Sequence, residues 1–133
     1  MSFIRKFFKA EKRLDKDTIG KLGERFSLCH LKKENYQIIE TNYRTRLGEI
    51  DIIAKQKDEF VFIEVKTREE NLPFGDPRDA VTLPKQNRIK KIAQVYLDKQ
   101  RMKNWKECRF DIIEVILSRT GDLKTINHIP DAF

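Results

Sequence analysis

The stretch Gly48-Glu49-Ile50-Asp51-Ile52-Ile53-Ala54, followed after a polar break by Phe60-Val61-Phe62-Ile63-Glu64-Val65-Lys66-Thr67-Arg68, constrains the fold more than any other part of the chain. Apolar and polar residues alternate over parts of both runs, the period of a strand with two different faces. Lys57-Asp58-Glu59 separates them, so the two runs read as a β-hairpin. Asp51 stands between Ile50 and Ile52. Glu64 and Lys66 leave their strand on one face, with Ile63 and Val65 on the other. Carboxylates among branched apolar residues are rare unless they are paired or bind a metal.

The flanking segments supply helices and further strands. Asp17-Thr18 offers a helix cap, and Ile19, Leu22, Phe26 and Cys29 then recur at steps of three and four, so an amphipathic helix runs to about Glu34-Asn35. Glu24 lies off that stripe, on the side of Leu28 and Leu31, where it points either at solvent or into a pocket. Tyr36 to Arg44 reads as a first strand, and Asn42, Arg44 and Arg46 line a turn before Gly48. Residues 69–81, with Pro73, Gly75 and Pro77, read as a long loop of the kind that often carries function.

Thr82 opens a second helix, with Pro84 in its first turn and a buried stripe of Ile89, Ile92, Ala93, Tyr96 and Leu97. Lys85, Arg88, Lys90, Lys91 and Lys99 make the rest of that helix basic, and Trp105 beyond it reads as a core or rim residue. Arg109 to Leu117 is a further strand, and Lys124 to Ile129 a short terminal one. Asp111 alternates with apolar neighbours as Asp51 does, and an ion pair with Arg109 accounts for it. His30 and His128 read as isolated structural or surface residues. The order helix-strand-strand-strand-helix-strand predicts an α/β fold, a mixed sheet with helices on its faces.

A chain of 133 residues fits one domain: 17–133, preceded by a basic arm over 1–16 in which Phe3, Phe7 and Phe8 are interleaved with Lys and Arg. The 28 basic and 21 acidic residues leave a net charge of +7, the footprint of nucleic-acid binding or of a solvated lysine-rich surface. Cys29 and Cys108 lie far apart in apolar contexts and read as reduced core residues, which sets aside a disulfide framework and a zinc cluster. No apolar run approaches the roughly 20 residues of a membrane span, and the first residues lack a signal-peptide core, so a cytoplasmic location without membrane contact is expected.

Asp51, Glu64 and Glu24 together pose an electrostatic problem. Two like charges about 4 Å apart repel by roughly 4 kcal/mol at an effective dielectric of about 20. Lys66 offsets part of this for Glu64 but does not neutralise the other two. Either one carboxyl holds a proton with a raised pKa, or a divalent cation sits there. Oxygen ligands favour Mg²⁺ or Mn²⁺, and Lys66 would orient an attacking water or stabilise charge developing on a phosphate.

Asp51, followed thirteen positions later by Glu64-Val65-Lys66, resembles the Asp…Glu-x-Lys arrangement of the PD-(D/E)XK nuclease superfamily. The wider set is more specific. It comprises Gly23-Glu24, Tyr36, Asn42-Tyr43-Arg44, Gly48 to Ala54, Phe62 to Arg68, Lys85 with Arg88, Arg109-Phe110-Asp111, His128-Ile129 and Ala132-Phe133. From about residue 17 onward these residues resemble the YraN-like family, an uncharacterised bacterial group with an expected restriction-endonuclease-like core. The motif order is also similar to that of archaeal Holliday-junction resolvases.

The resemblance implies that Asp51 and Glu64 bind Mg²⁺ or Mn²⁺, with the backbone carbonyl of Val65 as a further ligand. Lys66 would handle the water and Glu24 would complete the acidic cluster. Lys85 and Arg88 would meet phosphates, and Arg44, Arg46 and Arg68 are the other candidate nucleic-acid contacts. Ile50 stands where the superfamily name puts proline, Ser27 stands where a small residue such as Ala is usual, and Asn35 replaces a usual Gly at a turn whose geometry Asn tolerates. The expected activity is metal-dependent hydrolysis of DNA, with branched and single-stranded forms among the candidate substrates. A nucleic-acid-binding protein without catalysis, and an accessory protein recruiting a partner through its basic surface, stay open as alternatives. A homodimer stays open by analogy with the resolvases.

Overall fold

The computed structural model describes residues 13–100 and 108–133. Most of the basic arm and Trp105 fall outside the described residues. One five-stranded sheet carries two helices. The elements follow the chain as α1 (Lys16–Lys33), β1 (Gln37–Thr45), β2 (Gly48–Gln56), β3 (Glu59–Glu69), α2 (Leu83–Lys99), β4 (Cys108–Leu117) and β5 (Leu123–Ile129). The strands lie side by side in chain order. β1, β2 and β3 form an antiparallel meander, β3 pairs with β4 in parallel, and β4 pairs with β5 antiparallel. A parallel pair needs a long crossover, and α2 supplies it. The mixed α/β architecture is that of a restriction-endonuclease-like core, with β5 as a strand beyond the minimal order.

Both faces of the sheet are covered. α1 packs over Ile52, Ala54, Val61, Ile63, Ile113 and Val115. α2 packs over Ile53, Phe60, Phe62 and Ile112 through Ile89, Ile92, Ala93, Tyr96 and Leu97, the stripe its sequence spacing predicts. Burial on both faces explains the unbroken apolar runs of β3 and β4.

α1 differs from its sequence pattern. Its cap is Asp15 rather than Asp17-Thr18, because the Asp15 carboxylate accepts from the Thr18 amide at 2.7 Å. Its most buried residues are Gly23, Ser27 and Leu31, while Ile19, Leu22, Phe26 and Leu28 flank them. The small residues let the helix approach β3 so closely that a Cβ at position 23 would overlap the Thr67 side chain. The Ser27 hydroxyl is satisfied by donating to the Gly23 carbonyl at 2.8 Å. Cys29 faces solvent, contrary to its reading as a core residue, and Cys108 is half-buried.

Asn35 takes a left-handed φ of 65°, as the turn before Tyr36 requires. β3 runs to Glu69, and a 3-10 turn at Pro77–Ala80 capped by Asp76 breaks the expected long loop, leaving 70–76 as its irregular part. No helix among the described residues is long and apolar enough to cross a membrane.

Asp111 is fully buried, and Arg109 donates to both of its oxygens at 2.8 and 2.9 Å. The Asp131 amide adds a third bond at 2.9 Å, and His128 Nε2 lies 2.7 Å from Oδ2. Burial alone would raise the Asp111 pKa, but these donors outweigh it and hold the carboxyl below its ordinary range. The two histidines are not isolated: His30 Nε2 lies 3.3 Å from His128 Nδ1, although 98 positions separate them in the chain. This polar cluster ties β4, β5, Tyr36 and the end of α1 together.

Gly23→Ala gains helix propensity but forces a methyl into Thr67. We expect a net loss of roughly 1–3 kcal/mol, as for other overpacked sites, measured by urea unfolding. A variant as stable as the parent would show that α1 is free to lift from β3.

Candidate metal centre

The β2–β3 ladder runs from Gln56↔Glu59 to Ile52↔Ile63, and Asp51 follows at its end. There the Asp51 carboxylate accepts the Val65 amide at 2.8 Å, so a side chain takes an amide at the point where the ladder stops. Ile50 and Ile53 both lie under α2, although strict alternation would put residues three apart on opposite faces. The alternation is thus broken around Asp51.

Glu64 is buried on the next strand. Its Oε1 accepts from Lys85 Nζ at 2.7 Å and lies 3.6 Å from Lys66 Nζ. Glu24 arrives from α1. Asn42 Nδ2 donates to Glu24 Oε1 at 3.0 Å and to Glu49 Oε1 at 2.9 Å, clamping the two carboxylates together. Arg44 holds the other oxygen of Glu49 at 2.8 Å. Carboxylate oxygens of Glu24, Glu49 and Asp51 lie within 4.8 Å of one another.

Glu49 has no place in the sequence-level site. The sequence shows only that it precedes Asp51 by two residues; the β1–β2 register is what sets it against Arg44. Glu24, Asp51, Glu64, Val65, Lys66 and Arg44 line one open cleft of about 1030 Å³. Lys85 joins them through Glu64.

The other candidate cations stand elsewhere. Arg46 is exposed in the β1–β2 turn. Arg88 is exposed and its aliphatic carbons lie against Gly48. Arg68 is only 15% exposed and turns towards Glu114, with Nε 3.6 Å from Oε2. None of these three lines the cleft.

The titration of the centre follows from this crowding. Burial, then the charge of Glu64, then those of Glu24 and Glu49 push the Asp51 pKa up to about 7, against the stabilising Val65 amide. Lys66 is lowered by burial and by the neighbouring Lys85 ammonium. Burial works against Lys85 as well, but its contact with Glu64 prevails and raises its pKa. The donor set is all oxygen, it carries more negative charge than its two lysines neutralise, and it includes a carboxyl strained towards protonation. Such a set suits a hard divalent cation, and the carboxylates close enough to share one are Glu24, Glu49 and Asp51, whereas Glu64 Oε1 is taken by Lys85 and falls outside that group.

Fold and cleft together define a restriction-endonuclease-like α/β protein with an acidic centre and two lysines. Sequence comparison assigns the lineage. Residues 23–115 match the uncharacterised protein family UPF0102. A UPF0102 protein of Dictyoglomus turgidum is 47% identical over 115 residues, covering 86% of this chain and 96% of the relative. One from Caldanaerobacter subterraneus subsp. tengcongensis is 45% identical over 123 residues, covering 92% and 99%. The chain belongs to the UPF0102 family, the YraN-like group.

Asp51→Asn tests the crowding. Well below about pH 4, Asp51 is protonated in folded and unfolded chains alike. As pH rises towards 7, only the unfolded chain releases the proton, so wild-type stability falls across that window and levels off above it. Asn keeps an acceptor for Val65 without this loss. In EDTA the variant should match wild type well below about pH 4 and exceed it at pH 8, by at most about 4 kcal/mol in urea unfolding. Equal pH profiles would show that Asp51 ionises freely.

Proposed function

We propose that the protein is a metal-dependent endonuclease that hydrolyses phosphodiester bonds in DNA in the cytoplasm. The observation that carries this is the convergence of Asp51, Glu64 and Lys66 with Glu24 in one cleft, in the carboxyl-terminal half of the parallel strand β3. Ligands of open α/β sheets bind at that end of the strands. The net charge of +7 favours a polyanionic partner.

A Mg²⁺ or Mn²⁺ ion held by Asp51, Glu64 and the Val65 carbonyl would polarise the phosphate and acidify a bound water. The chain's own groups do the rest. Lys66 holds its proton less tightly than a free lysine, so its amine can orient the attacking water and pass a proton. Glu24, fixed by Asn42, anchors the far side of the acidic cluster. Lys85 occupies Glu64 Oε1, so it competes with any cation for that oxygen. An ammonium that yields the carboxylate is then free to meet a substrate phosphate. Arg44, which lines the cleft and pairs with Glu49, is a further phosphate contact in this reading.

One observation favours the alternative of DNA binding without catalysis: Lys85 and Lys66 already neutralise Glu64 without a metal. A cleavage assay separates the two. Linear, single-stranded, flap and four-way-junction DNA are incubated with wild type and Asp51→Ala in millimolar Mg²⁺ or Mn²⁺. Wild type should cleave at least one substrate, and Asp51→Ala should lose about 100-fold or more in rate. Equal cleavage by both removes the site; binding with no cleavage of any substrate leaves the non-catalytic alternative.

Lys85→Met isolates the competition at Glu64. Without DNA, Mn²⁺ should stabilise the variant more than wild type in thermal unfolding, while its cleavage rate falls. Weaker Mn²⁺ binding in the variant would make Lys85 a support of the metal site rather than its competitor.

A further inference from the structure

Loop 70–76 carries two large exposed apolar side chains, Leu72 at 47% and Phe74 at 44% exposure. Exposed apolar groups of this size normally sit singly, and two on one short loop beside a charged cleft call for a reason. Leu72 lines the same cleft as Asp51, Glu64 and Lys66. The Phe74 ring is covered on one side by the Arg68 guanidinium, 4.9 Å from its centroid. Arg68 is itself fixed: it donates to the Gly75 carbonyl at 3.1 Å and faces Glu114. Glu114 is buried, its Oε2 has no hydrogen-bond partner among the described residues, and Arg68 Nε lies 3.6 Å from it. Pro73 between the two apolar residues limits the backbone. The ring is therefore backed on one side by Arg68, and the residue stays partly exposed.

Arg68 follows Lys66 by two strand residues, roughly 7 Å, on the same face of β3. Phe74 stands on the loop that also brings Leu72 into the cleft, and a flat π-face there matches a nucleobase. Bases inside a continuous duplex present no free face.

We propose that Phe74, backed by Arg68 and stiffened by Pro73, is a stacking platform for an unpaired base flanking the phosphate held at the Asp51–Glu64 cleft, so that single-stranded or branched DNA is selected over continuous duplex. This rests on the nuclease reading of the cleft. The selectivity lies in a hydrophobic loop next to the metal centre, and the basic surface contributes affinity to either form of DNA.

The test is equilibrium binding by fluorescence anisotropy in EDTA, where no hydrolysis occurs, using the full chain and a labelled oligonucleotide in single-stranded and duplex form. Wild type should prefer the single strand. Phe74→Ala should weaken single-strand binding about tenfold and leave duplex binding within about twofold, and Phe74→Trp should retain the preference. A 2-aminopurine in the strand should be quenched by wild type and not by Phe74→Ala. Wild-type binding unchanged by Phe74→Ala, or weakened equally for both forms, overturns the platform and leaves the nuclease reading standing. A wild-type chain that binds neither form overturns both.

Discussion

Everything at the centre depends on where the β2–β3 ladder ends. Up to Ile52↔Ile63 the backbones satisfy each other. At the next position the Asp51 carboxylate accepts the Val65 amide, and a charged side chain does what a carbonyl does elsewhere in the sheet. The substitution brings an acidic oxygen to the backbone whose neighbours are Glu64 and Lys66. It also fixes the carboxylate in a place where burial and three other acids resist its ionisation. The backbone bond thus supplies the geometry that electrostatics alone would undo.

The two helices then divide the chemistry. α1 brings Glu24 from one side of the sheet and α2 brings Lys85 from the other. Because β3 and β4 are parallel, the crossover that joins them also delivers the start of α2 to the carboxyl-terminal half of β3. Topology, rather than any local motif, puts Lys85 on Glu64.

Much of this was legible in the chain. The stripe on α2 and the hairpin follow directly from apolar periodicity. So does the pairing of Glu64 with Lys66 on one strand face, because residues two apart share a side. The buried face of α1 was misread because hydrophobicity was taken as burial, whereas Gly23 and Ser27 face the sheet by being small. Glu49 was missed because its role needs the register that sets it against Arg44. The contact between His30 and His128 needs β5 to lie beside β4, and no spacing in the sequence states that. The sequence shows the charge of Arg68 but not that Glu114 lies beside it.

The close contact of Gly23 with Thr67 has a consequence for the acidic centre. Gly23 precedes Glu24, and Thr67 follows Lys66. The closeness of helix and strand at Gly23 therefore bears on how far Glu24 reaches towards the cleft. A hydrogen atom in place of a side chain acts as a shim of minimum thickness. Widening it by one methyl would retune the spacing of the carboxylates without altering any of them.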